Sequence, residues 1–395
     1  MRVLHVIPSL SLKDGGPSFA LRLMARGLAQ TGIQVDVATT DDGEISRRDA
    51  PPAGAAREDG ARVFAFRRQS QFYKVSLGLA RWLAQNVRHY DLVHIHALFS
   101  FSSGAAARQA AKDRVPYVIR PLGVLNRWGM ENRRRRLKQV SFRFFERPMI
   151  ESAAAMHYTS EQERREAEMA GVTTRAAVIP LGIDLAEFRR LPPPERFYQC
   201  FPQARGRQVI LFLSRLDAKK GLDLLLPAFA EARRRHPSAL LAVAGSGDAA
   251  FVAGLRARAE QLGISDDILW AGFLTGEDKL AAMAAASLFA LPSYSENFGI
   301  ALVEALAAGL PCLLSDQVGI APEIESAGAG LVAACDESAV GSALQRLLAD
   351  SELRARFAGN ACRLAERRFS MEAMTGSLIE LYEQVAAQRL AAAVC

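Results

Sequence analysis

Cysteine is sparse in this 395-residue chain: the five present (Cys200, Cys312, Cys335, Cys362, Cys395) are odd in number, widely spaced and in no C-x-x-C arrangement. Neither a disulfide framework nor a thiolate zinc site is suggested, and a reducing cytoplasm fits best. No run of about 18 apolar residues occurs, which excludes a sequence-evident membrane span. The opening MRVLHVIPSLSL holds one Arg and an apolar run cut by Pro8, and reads as too short and broken for a signal peptide. The expectation is a protein that is soluble or attached only peripherally to a membrane. Glycine (29) and proline (17) stand at ordinary levels, so collagen-like, disordered and low-complexity classes are excluded. A D-x-D triplet is missing as well. Asp41-Asp42 and Asp266-Asp267 are merely adjacent acids, so no essential Mg²⁺ is indicated and no cofactor is expected.

What is present is a core-building composition, 50% hydrophobic and 23% charged. At about 150 residues per domain the length suggests two domains or three. The net charge of +7 points to an anionic partner, with nucleotide, phospholipid and nucleic acid all open on charge alone. Short apolar strands over 2–8, 35–39, 92–96, 117–120 and 156–158 alternate with helical patterns over 19–28 and 104–112, the signature of βαβ units. Residues 189–207 are rich in Pro and Arg and lack either periodicity, so the linker is placed there. A second series follows, with strands over 208–214, 240–244, 268–271, 288–292 and 312–315 and helices over 222–235 and 249–262. The fold class is α/β with two doubly wound halves, in which ligands bind at the carboxyl ends of the strands, here in an expected interdomain cleft.

Two stretches carry chemistry. The first runs from Pro292 through Glu296, Asn297, Phe298, Gly299 and Ile300 to Glu304, Gly309 and Pro311. It predicts a strand end, a loop and a helix opening near 297–299, whose first N–H groups can hold a phosphate. Eight positions at about 1.5 Å rise separate Glu296 and Glu304 by about 12 Å. Glycosidase carboxylate pairs stand about 5 to 9.5 Å apart, so this pair suits the two ends of one folded ligand better than one scissile bond. On spacing alone, a capping Glu296 and a solvated Glu304 remain open. The second stretch, Arg215-Leu-Asp-Ala-Lys-Lys220-Gly221, places a guanidinium fork and an ammonium beside a loop entering a helix. Together they can neutralise a diphosphate, although such a pair alone is usually just solvated.

The first stretch resembles the E-x7-E signature of the retaining glycosyltransferases of family 4, which have the GT-B fold, and the second resembles that family's R-L-x3-K-G loop. The ordered resemblance spans nearly the whole chain. Residues 178–184 are similar to an interdomain V-I-P-N-G-V-D segment with Leu181 in place of Asn. Trp270 to Leu274 are similar to the strand and loop that meet the base, through Phe273 and Leu274, and Gly15-Gly16 lie where a first loop approaches the donor phosphate. The resemblance implies a two-domain transferase that moves a sugar from a nucleoside diphosphate to an acceptor hydroxyl with retention, as in bacterial polysaccharide and lipopolysaccharide synthesis. Glu304 would bind the ribose hydroxyls, Glu296 the donor sugar, and Arg215 with Lys220 the growing diphosphate charge. The implied division is 1–185, with a helix over 371–395 crossing back to it, and 186–370. UDP- and GDP-sugars are both open.

One departure concerns the strand end Ile119-Arg120-Pro121-Leu122-Gly123, where many members carry a His. Arg cannot serve as a base near neutral pH, so Arg120 is assigned as an electrostatic clamp with a purely structural role as the alternative. His94 and His96 end a strand and are assigned to opposite faces of the sheet, His96 as the cleft residue; no third ligand suggests itself for a metal.

Between 127 and 147, eight basic residues (Arg127, Arg133, Arg134, Arg135, Arg136, Lys138, Arg143, Arg147) outweigh Glu131 and Glu146 and account for nearly all of the net charge. Leu137, Val140 and Phe144 share a helical face, with Trp128 and Phe145 nearby, so the segment can lie on an anionic membrane or simply form a solvated basic helix. No nucleic-acid reading module accompanies it, and no nucleic-acid partner is expected. The acceptor is a saccharide or lipid-linked saccharide. Rival readings are a sugar-nucleotide epimerase or hydrolase, an NAD-dependent oxidoreductase resting on Gly245-Ser246-Gly247, and a non-enzymatic basic binding protein. The C-terminal pattern Met374, Leu378, Leu381, Tyr382 predicts an amphipathic helix.

Overall fold

A computed structural model describes residues 1–11, 16–40, 56–70, 72–126 and 135–394. The chain forms two compact units, Met1–Gly182 with Met371–Cys395, and Ile183–Ser370. Residues 178–184, which resemble an interdomain segment, straddle that boundary.

Unit 1 contains β1 (Arg2–Ile7), β2 (Gln34–Thr40), β3 (Ala56–Glu58), β4 (Ala61–Phe66), β5 (Leu92–His96), β6 (Tyr117–Arg120), β7 (Ala155–Tyr158) and β8 (Ala176–Val178). They form one sheet in the order β3-β4-β2-β1-β5-β6-β7-β8, parallel except for β3. The sequence reading missed β3 and β4. Their signal is the Asp59-Gly60 pair, both at positive φ (50° and 79°), which turns a two-residue hairpin with the strand's own twist. Leu4, Val6, Val93, Ile95 and Ile119 pack against Leu79, Trp82, Ala106 and Ala110 on one face. The opposite face lies under the helices Gly16–Gln30 and Met371–Val394. These two helices touch where Gly27 leaves room for Thr375, since a methyl group there would overlap the threonine hydroxyl. Met374, Leu378, Leu381 and Tyr382 are all buried, in keeping with the amphipathic pattern.

Unit 2 contains β9 (Gln208–Leu213), β10 (Ala239–Ala244), β11 (Ile268–Gly272), β12 (Ala286–Leu291), β13 (Cys312–Ser315) and β14 (Gly330–Ala333), all parallel in the order β11-β10-β9-β12-β13-β14. The order reverses between β9 and β12, the switch point at whose carboxyl edge open parallel sheets bind ligands. Strand β14 was not predicted, its Leu331-Val332 pair being set among Gly and Ala, which are weak strand formers. The stretch 189–207, expected as a linker, instead folds within unit 2 as a short helix, Glu195–Cys200, whose Arg196 bonds Glu277 and Asp278 at 2.6 and 2.8 Å. Among the described residues no helix is long and apolar enough to cross a membrane.

Candidate functional site

Three of the charged residues singled out in the sequence, Arg215, Lys220 and Glu296, lie in the loops that follow β9 and β12. After β9 the chain passes Arg215, which is exposed, and makes a single turn capped by Asp217, whose Oδ1 accepts from the Lys219 N–H at 3.0 Å. Gly221 then takes a left-handed conformation (φ 70°, ψ 26°) that ends the turn and starts the helix Leu222–Arg235. A methyl group on Gly221 would overlap the Pro292 carbonyl oxygen. That close approach locks the loop after β9 to the loop after β12. Tyr294 fastens them further, its N–H donating to the Lys219 carbonyl at 2.7 Å and its hydroxyl to Asp223 at 2.8 Å. In consequence Lys220 Nζ donates directly to the Glu296 carboxylate. Lys220 and Glu296 are thus brought together by neighbouring strands, and the charges of Lys220, Arg215 and Glu296 all bear on Lys219.

The helix expected near 297–299 begins at Ile300, with Gly299 at φ 85°, ψ 70° before it. Glu296 therefore stands in the loop rather than in the first turn, and its backbone bridges to Gln317 and Gly319. Its side-chain stem lies over Gly299, where a methyl group would sit 3.3 Å from Cγ. The cap reading fails because the carboxylate turns to Lys220. Phe298 is buried edge-on against Phe369, with ring centroids 5.8 Å apart, so only its backbone faces the loop. Glu304 is also buried, at 7% exposure, which overturns the solvated-helix alternative. Burial pushes its carboxyl above the ordinary range while Lys279 pulls it back, the Nζ standing 2.7 Å from Oε1. Lys279 escaped the sequence reading because nothing in its own helix, Gly276–Ala285, marks it. Just before that helix Phe273 is 74% exposed and Leu274 half-buried.

Gly245-Ser246-Gly247 serves packing. Methyl groups on either glycine would strike the carbonyl oxygens of Ser214 and Leu216, and the Leu216 N–H donates to Ser246 at 2.8 Å. These glycines support the Arg215 loop from beneath, and the dinucleotide reading has no footing.

In unit 1, Gly15 lies outside the described residues, as do 127–134 of the basic segment. Gly16 opens the helix Gly16–Gln30. Lys138, Arg143 and Arg147 are described, and Leu137, Val140, Phe144 and Phe145 beside them are exposed. His96 and Arg120, expected in catalysis, are both 0% exposed. The assignment of His94 and His96 to opposite faces is corrected: residues two apart on a strand share a face, and their rings lie 4.3 Å apart. Both sit on the strand itself, under the C-terminal helix, rather than beyond its end. His5 of β1 joins them, its Nδ1 2.9 Å from His96 Nε2, and supplies the third imidazole thought missing. Three ligand atoms here fall within 4.8 Å of one another, yet the Arg120 guanidinium among them opposes a cation and lowers the imidazole affinities for protons.

The remaining donors of this cluster are ordered. The Ile179 carbonyl can only accept, so His157 Nε2 carries the hydrogen (2.9 Å) and its Nδ1 accepts from His94 Nε2 (3.3 Å). That leaves His94 Nδ1 to accept from the Tyr382 hydroxyl at 2.7 Å. The Ile179 carbonyl by itself favours a protonated His157, and it is burial that outweighs it. Burial and Arg120 keep His5 and His157 down at about 3.

Residues 200–363 match the model described as glycosyl transferases group 1, and 15–182 match a glycosyl transferase 4-like domain. The chain is 30% identical over 308 residues to the D-inositol 3-phosphate glycosyltransferase of Corynebacterium jeikeium, covering 75% of this chain and 73% of that one. It is 28% identical over 310 residues to the phosphatidyl-myo-inositol mannosyltransferase of Mycolicibacterium smegmatis, covering 77% and 73%. Among solved structures, Anabaena HepE in complex with UDP superposes with a TM-score of 0.78 at 20% identity over 97% of this chain and 100% of that one.

Proposed function

From the premise that the chain belongs to the family 4 glycosyltransferases of GT-B fold, we propose that it moves a sugar from a UDP- or GDP-sugar to an acceptor hydroxyl, with retention and without an essential metal. The observation that carries this reading is the meeting of Lys220 and Glu296 at the carboxyl edge of β9 and β12, with the Arg215 charge bearing on the same loop. When the donor enters, its diphosphate draws Lys220 and Arg215, and Glu296 is released to the sugar hydroxyls. As the bond between the anomeric carbon and the diphosphate oxygen breaks, negative charge grows on that oxygen, and fixed cations stabilise it more than they stabilise the intact donor. The acceptor oxygen bonds to the anomeric carbon on the same face, and its proton passes to the departing phosphate oxygen. No separate general base is then required, which agrees with the burial of His96 and Arg120.

The acceptor in this reading is a saccharide or lipid-linked saccharide of bacterial surface polysaccharide or glycolipid synthesis, met at the cytoplasmic face of the membrane. Two observations support it: the inositol lipid in the name of one relative, and exposed Leu137, Val140, Phe144 and Phe145 set among Lys138, Arg143 and Arg147. The test is transfer from radiolabelled UDP- and GDP-sugars to membrane extracts, with the anomer of the product read by nuclear magnetic resonance. Donor turnover in the absence of any acceptor, at the rate seen with it, would favour the epimerase or hydrolase reading instead.

A further inference from the structure

The sequence did not announce the ion pair of Lys279 and Glu304, in which the carboxylate is buried and the ammonium partly so. We propose that Lys279 is a positioning residue of the donor site, holding the Glu304 carboxylate so that its remaining acceptor positions are presented to the vicinal diol of a ribose. The inference rests on the reading in which Glu304 receives the nucleoside.

An ionised carboxylate offers about four lone-pair positions, and Lys279 Nζ occupies one, at 2.7 Å from Oε1. Glu304 is 7% exposed, and burying a charge without a partner is costly. The negative charge of Glu187 bears on it from the turn Leu185–Phe188 and opposes its ionisation further. Lys279 is the counter-charge that allows a carboxylate to persist there. The placement of Lys279 is itself held from elsewhere. Its neighbours Glu277 and Asp278 both bond Arg196, which anchors the first turn of Gly276–Ala285 and leaves Lys279 on the side of Glu304. Exposed Phe273 lies three residues before that helix begins, so one short stretch of chain carries both an aromatic surface for a base and the cation that orients the ribose acceptor. A vicinal diol donates two hydrogen bonds to a carboxylate; a 2′-deoxyribose donates one. A correctly held Glu304 should therefore distinguish them.

The experiment measures the dissociation constants of UDP, GDP and their 2′-deoxy counterparts on the purified full chain by titration calorimetry. The wild type, K279M, K279R and E304Q are compared, with folding checked by circular dichroism. The expected result is a ribose preference of at least tenfold in the wild type that falls below threefold in K279M and E304Q and is restored in K279R. A K279M protein that keeps the full preference, while E304Q loses it, overturns the role of Lys279 and leaves the ribose reading intact. An E304Q protein that keeps the preference overturns the ribose reading and the inference together. Should K279M fail to fold, K279Q, which keeps a donor without the charge, reads the same ratio and decides in the same way.

Discussion

The two units place their polar side chains in opposite ways. In unit 1 His5, His94, His96, Arg120 and His157 sit on the strands themselves and are sealed beneath the C-terminal helix, all fully buried. In unit 2 Arg215, Lys220 and Glu296 sit just beyond the strand ends, in loops that neighbouring strands bring together. A strand position points into a packed layer, where burial holds an imidazole neutral. A loop position at the carboxyl edge lies nearer solvent, as the partly exposed Lys220 and Glu296 side chains do. Two units of the same architecture thus place charged and titratable groups differently, one within its packed layers and the other at its loop edge.

The largest effect expected from this contrast is on acid stability. His5 and His157 titrate at about 3 in the folded protein against 6.5 in an unfolded chain. The unfolded state therefore binds more protons between those values. The stabilising contribution is complete above pH 6.5 and is lost as pH falls toward 3, at about 1.4 kcal/mol per pH unit for each histidine. Urea unfolding at pH 7.5 and 4.5 should differ by several kcal/mol; a flat profile would remove the claim that the cluster is held neutral. Next in size is Gly221→Ala, which meets the Pro292 carbonyl and a left-handed backbone together. It should cost about 2 kcal/mol or more in unfolding free energy, and, by pushing the two loops apart, lower turnover as well.

Lys220→Ala and Glu296→Ala should each reduce turnover at least about tenfold, equivalent to about 1.4 kcal/mol, while leaving the melting temperature within a few degrees. Steady-state kinetics on folded protein decide it, and unchanged rates would place the chemistry elsewhere. The smallest effect is Tyr382→Phe, which strips His94 Nδ1 of its donor and should destabilise unit 1 by about 1 kcal/mol without altering nucleotide affinity. A change in UDP or GDP binding in that variant would blur the division between the units.

Much of the architecture was legible because strand and helix periods are local. The helix Leu222–Arg235 was read to the residue, and the strands β5, β6, β9 and β13 were found within a residue of their ends. The hairpin of β3 and β4 was lost by overlooking Asp59-Gly60, β8 has only three residues, and β14 is set among Gly and Ala that carry no strand signal. Glu296, Glu304, Arg215 and Lys220 were legible as a set through spacing and resemblance. The His cluster was misjudged because its members come from β1, β5 and β7, and no local pattern tells that their rings meet.

The chain's own pattern of apolar periods and turn residues determined where strands end, and hence that Arg215, Lys220 and Glu296 stand at strand edges while Glu304 lies in a helix, since those signals act over a few positions. Which charges meet was decided only by tertiary structure. Lys220 and Glu296 are 76 residues apart, and it is the pairing of β9 with β12, together with a glycine small enough to touch Pro292, that closes that distance. Lys279 reaches Glu304 across 25 residues for the same reason: ion pairs in the interior are made by the packing of helices and the order of strands, which no short stretch of sequence contains.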